Sequence, residues 1–124
     1  MLRDFLFVGI GGAVGSMARY GISTAVSKYW MKPLPLGTLL VNLVGCLVIG
    51  LLAGLALRNE WLHQTGGWLL LATGLCGGFT TFSAFALENV KLLEGNNTAT
   101  AILYLSLSVV GGLLLCRVGM LLSN

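Results

Sequence analysis

Four long apolar runs separated by three short polar connections fix what this chain can become. The runs lie near residues 5–27, 34–57, 66–87 (with a polar extension to about 93) and 98–122. Each reaches the roughly 20 residues that an α-helix needs to cross a bilayer. The connections carry "KPLP", "RNEWLHQ" and "EGNN", which combine charge, proline and turn formers. Charged residues make up 9% of the 124 residues and hydrophobic ones 56%, where a soluble domain carries about 25% charged residues. Mean hydropathy is +0.92. Inside a bilayer only helices and closed barrels satisfy their own backbone polar groups. The expectation is therefore an all-α membrane protein, one four-helix domain over 1–124, with no room for an extramembrane catalytic or nucleic-acid-binding domain. The apolar stretch after Met1-Leu-Arg-Asp runs past the length of a signal core without a cleavage site, so no cleavable leader is expected.

Cys46, Cys76 and Cys116 fall in separate spans with no C-x-x-C pairing, and read as small packing residues. His63 stands alone in a loop and receives no metal or catalytic role. With four spans, Arg3, Arg58 and Arg117 lie toward one side, and Lys28, Lys32 and Lys91 toward the other. Lys/Arg bias in short loops sets membrane orientation, and three against three gives none. Such a chain can insert both ways, which makes an antiparallel homodimer possible. Four short helices also enclose little volume, so a pathway built by one protomer alone is hard to achieve.

Small residues let helices approach closely in lipid. Gly9, Gly11, Gly12 and Gly15 are expected to do so in the first span, and Gly45, Gly50 and Gly54 in the second. Polar groups in the spans ask for more. Asn42 lies mid-span in "LLVNLVG" with two donors and two acceptor lone pairs. Thr100, Tyr104, Ser108 and Gly112 recur every four residues and so share one helical face. Interhelical hydrogen bonding and a conduction role both fit that face.

The stretch "GLCGGFTTFSAF", Gly74 to Phe85, places three glycines and three hydroxyls deep in an apolar segment. It predicts a helix that breaks near 77–81 at mid-membrane and restarts. Non-helical backbone is tolerated there only where it is buried in protein or lines a cavity. Freed carbonyls can coordinate a cation, and freed N–H groups favour an anion. Thr80 or Thr81 can cap the new helix. Phe82 and Phe85 then share a face, and their positive ring edges suit a small anion. Glu88 follows on much the same face.

Together, "GGAVGSMARYG" (11–21), "GTLLVNLVGC" (37–46) and "GLCGGFTTFSAF" (74–85) resemble, in order and spacing, the Fluc fluoride channels, also called CrcB. The resemblance runs over essentially the whole chain. It implies a passive, fluoride-selective channel in the bacterial cytoplasmic membrane that exports fluoride. It further implies an antiparallel, dual-topology homodimer with two pores and a structural sodium ion at its centre. Carried over by motif, the sodium-holding carbonyls belong to Gly77 and Thr80. The fluoride pathway comprises Asn42, Phe82, Ser83, Phe85, Glu88, Tyr104 and Ser108. Arg19, in "ARYG", serves either a vestibule or an anchoring role. Ala84 and Gly112 stand where many relatives have hydroxyls.

The main alternative is a small dual-topology exporter of cationic drugs, which needs a carboxylate within its first helix. Here that helix has Arg19 and no acid beyond Asp4 at its start. A structural subunit of a larger membrane complex is a further reading. An enzyme is not expected, because no nucleophile–base pair is present.

Overall fold

The computed structural model describes all residues 1–124 and is entirely helical. Helix α1 spans Leu2–Tyr29 and α2 spans Leu36–Arg58. A single turn, α3 (Trp61–Gln64), leads into a π-helical segment, Leu69–Cys76. It continues as the short α4 (Gly77–Phe79), and after two extended residues comes α5 (Phe82–Glu94). Helix α6, Thr98–Ser123, completes the chain. Four of these helical stretches are long and apolar enough to cross a membrane, with Leu69–Glu94 counting as one. The chain is thus a four-span membrane protein.

Local chemistry sets the turns between them. Pro35 sits at the entry to α2, where its missing N–H costs nothing. Gly66 takes φ +79°, which a side chain would resist, and lies against the Phe7 ring. Asn96 carries the other left-handed conformation, φ 60°, in the turn before α6.

Packing runs along two glycine seams. Helix α1 lies mainly on the π-helical segment and α4, while α2 lies mainly on α6. In the first seam Gly11 and Gly15 face Gly74 and Gly78, each pair four apart. A methyl at Gly11 would fall on the Leu70 carbonyl, one at Gly15 on the Leu75 carbonyl, and one at Gly78 against Gly12. The backbones therefore touch, which is the close approach that small residues permit in lipid. In the second seam Gly50 meets the Cys116 carbonyl, Gly54 meets Ser123, and Gly119 meets Leu47 and Leu51. Gly9 departs from the expectation: it has nothing within 4 Å, because it lies on the open face of α1.

The π-helix was not foreseen. Such winding is rare beyond single turns and is often found at functional sites. It shifts the register of everything after it relative to a continuous α-helix. Here Ala72, Gly74 and Cys76 are buried, while Thr73 and Gly77, four apart, are exposed. Thr73, Gly77, Phe82 and Ser83 form a mixed polar and aromatic face that no part of this chain covers.

Candidate functional site

The site begins where the third span leaves helical geometry. Thr80 has φ −81°, ψ 156° and Thr81 has φ −149°, ψ 119°, both extended. Extended backbone inside an apolar span must find partners for its N–H and C=O groups. Asn42 supplies them: its Nδ2 donates to the Thr81 carbonyl at 3.0 Å, and the Thr81 N–H donates to its Oδ1 at 2.8 Å. One carboxamide thus replaces a missing helical partner on both sides. A single amide N–H of Asn42 remains free. The Thr81 Oγ1 accepts from the Ala84 N–H at 3.2 Å and so caps α5. Thr80 closes the end of the preceding helix, its N–H and its hydroxyl both donating to the Cys76 carbonyl, at 3.0 and 2.8 Å. Gly45 makes space for the Thr80 methyl.

Beside this interruption lies a cavity of about 450 Å³, bordered by Asn42, Thr80, Thr81, Phe82, Phe85 and Ser108 among others. The Phe82 and Phe85 rings lie 5.6 Å apart at 45°, and Phe85 meets Tyr104 edge-on at 5.1 Å and 64°. Phe85 is 9% exposed, whereas Phe82 is 78% exposed although it borders the same cavity. The Ser108 hydroxyl is buried with no hydrogen-bond partner. A buried unpaired hydroxyl is unfavourable, so this one is set up for water or an ion.

One helical turn beyond Phe85, Glu88 joins two helices. Thr38 Oγ1 donates to its Oε1 at 2.7 Å, and the Tyr104 hydroxyl donates to its Oε2 at 2.7 Å. Tyr104 is fully buried. Thr38 was missed in the sequence, though it sits four residues before Asn42 and so on the same face of α2. Two members of this triad, Thr38 and Glu88, also border a second cavity of about 230 Å³, together with Ser23, Ser27 and Lys32.

Arg19 anchors the interruption from α1. Its Nε donates to the Gly78 carbonyl at 3.2 Å, and Ser16, three residues earlier, donates to the same oxygen at 3.4 Å. Arg19 has no carboxylate within ion-pair distance. Its other guanidinium N–H groups are unpartnered within the chain. Ser83 lies away from the cavity, exposed, with its hydroxyl 3.2 Å from that of Thr81. The Gly77 and Thr80 carbonyls receive none of the hydrogen bonds that bridge the interruption, in contrast to those of Cys76, Gly78 and Thr81. The structure thus gathers Asn42, Phe82, Phe85 and Ser108 around one cavity, and Tyr104 with Glu88 next to it.

A family described as "CrcB-like protein, Camphor Resistance (CrcB)" matches residues 6–120. A protein of Azobacteroides pseudotrichonymphae, named fluoride-specific ion channel FluC, is 40% identical over 124 residues, covering 100% of this chain and 98% of the relative. One of the same name from Methylobacillus flagellatus is 47% identical over 121 residues, covering 95% and 92%. The protein named fluoride-specific ion channel FluC 1 of Listeria monocytogenes is 39% identical over 122 residues, covering 98% of both chains.

Proposed function

The chain belongs to the CrcB-like family, and on that premise we propose that it is a fluoride-selective channel of the bacterial cytoplasmic membrane, passive and not an enzyme. The observation that carries the reading is the orphaned Ser108 hydroxyl in a cavity bordered by Asn42 and the two phenylalanines. A bare small anion is very costly to bury, so the path must replace its water step by step. The spare N–H of Asn42 and the Ser108 hydroxyl offer donors, and the phenyl edges offer positive potential. Beyond them, Thr38 and Tyr104 hold their protons toward Glu88. An arriving anion takes over those hydroxyls as the carboxylate gives way. Arg19 fixes the Gly78 carbonyl, and its remaining donors draw anions inward.

The working unit is an antiparallel homodimer with two pores, its third spans interrupted at mid-membrane. The uncovered face of Thr73, Gly77, Phe82 and Ser83 supports this, because backbone and hydroxyl groups are poorly served by lipid. The carbonyls of Gly77 and Thr80, which accept none of the hydrogen bonds that bridge the interruption, are hard oxygen donors of the kind that unwound membrane helices offer to sodium. They fit such an ion, with two carbonyls from each copy. Bound there, sodium supplies a fixed positive charge between the copies.

Purified protein in liposomes should pass fluoride and not chloride, recorded with ion-selective electrodes. Equal permeation of both would defeat the selectivity. A pH-driven uptake of lipophilic cations without fluoride flux would instead support the exporter reading.

A further inference from the structure

Two of the three thiols border the same cavity from different helices. Cys46 comes from α2, and Cys76 is the last residue of the π-helical segment packed beside it. All three cysteines are free. We propose that this cavity also holds a site for soft, thiophilic cations, and that such a cation at Cys46 and Cys76 obstructs the space used by the anion.

Ligand chemistry separates the two occupants. The remaining polar atoms of the cavity are amide and hydroxyl groups from Asn42, Thr80, Thr81 and Ser108, which are hard and suit a hydrated or dehydrating hard ion. Sulfur selects soft metals, and fluoride has no use for it. The thiolate is the metal ligand, so binding releases a proton from each sulfur. With mercuric chloride the change balances simply. Each thiol that reacts exchanges its Sγ–H bond for an Sγ–Hg bond, with one chloride leaving the metal and one proton released for each sulfur, and no electron is transferred. As a neutral species mercuric chloride also reaches the cavity without crossing a charge barrier. Cys116, on α6, lies near Cys46 but does not border the cavity, so its variant tests whether bordering the cavity is what confers the block.

The experiment uses the full chain in liposomes, with micromolar mercuric chloride as the probe and fluoride efflux as one readout. Each variant's block is scaled to its own unblocked flux, since cavity substitutions alter that flux. Wild type should be blocked and should recover with dithiothreitol. Cys46→Ser and Cys76→Ser should each be less sensitive, and the double variant should lose the block, while Cys116→Ser stays sensitive. Intact-mass measurement of the protein at a low metal ratio supplies a readout independent of transport. Wild type should take up more mercury than Cys116 alone accounts for, and the double variant should carry at most the one adduct that Cys116 can form. Uninhibited wild type, a double variant blocked like wild type, or resistance conferred by Cys116→Ser alone would each overturn the proposal. Because efflux before mercury addition tests the channel reading separately, and adduct mass needs no flux, failure of one is distinguishable from failure of the other.

Discussion

Asn42→Ala should uncouple the interruption of the third span from α2. The change deletes two reciprocal hydrogen bonds, at 3.0 and 2.8 Å, and leaves both the N–H and the carbonyl of Thr81 without their partner. Interhelical hydrogen bonds in membranes average about 0.6 kcal/mol each, which sets a floor of about 1 kcal/mol for the pair. An unsatisfied buried group costs about 1–3 kcal/mol, so two would set a ceiling near 6 kcal/mol. The adjacent cavity lets water reach Thr81 and holds the cost toward the lower end, about 1–3 kcal/mol. That is about 5- to 150-fold in the population of the native interruption. Fluoride efflux from liposomes should fall by a factor in this range, and size-exclusion chromatography in detergent should report any loss of assembly. Asn42→Asp separates the two roles of the side chain. It keeps an acceptor for the Thr81 N–H, so assembly should be retained better than in the alanine variant. Flux should still collapse, because a carboxylate offers no N–H and repels an anion. If Asn42→Ala passes fluoride within about twofold of wild type, the clamp contributes less than the floor and the reasoning fails.

Phe82→Ile and Phe85→Ile should each reduce fluoride flux by about tenfold while the protein elutes as wild type, about tenfold being what the upper value for an aromatic pair supplies; unaltered flux in both removes the rings from the path. Tyr104→Phe deletes the 2.7 Å bond to Glu88 but keeps the edge contact with Phe85. It should lower the detergent melting temperature and slow flux, with a loss of about 1.5–3 kcal/mol expected for a hydrogen bond to a charged group, and an identical melting curve would show that the triad is not formed. Gly15→Ala drives a methyl onto the Leu75 carbonyl, a backbone atom that cannot swing away, and should cost about 1–3 kcal/mol. Gly9→Ala, with nothing within 4 Å, should leave the monomer fold untouched, and equal melting temperatures for the two would refute the seam.

The contrast between those two glycines marks the limit of what the sequence could convey. Hydropathy locates four spans because each run is long enough to cross a bilayer, and that signal needs no partner. It cannot say which glycine faces a neighbour, since Gly9 and Gly11 look alike until the rotation of α1 is known. The same applies on α2, where Thr38 and Asn42 share a face. Asn42 stands out as a carboxamide in mid-span, but Thr38, near the start of its helix, carries no such signal, because its role is set by Glu88 lying across from it. The π-helical segment left no mark at all. Its sequence, "LLLATGLC", has α-helical composition, and only tertiary contact separates the two windings. Gly11, Gly15, Gly74 and Gly78 bring two backbones into touch, and the carbonyls of Leu70 and Leu75 lie where side chains would otherwise stand. Wider winding there turns the chain that follows, so Cys76 is buried while Gly77, which borders the same cavity, is exposed. A face assignment based on 3.6 residues per turn therefore fails before the interruption and recovers after it. Phe82, Phe85 and Glu88 could be read from sequence for that reason: they follow the Thr81 cap, on a helix that restarts with regular geometry.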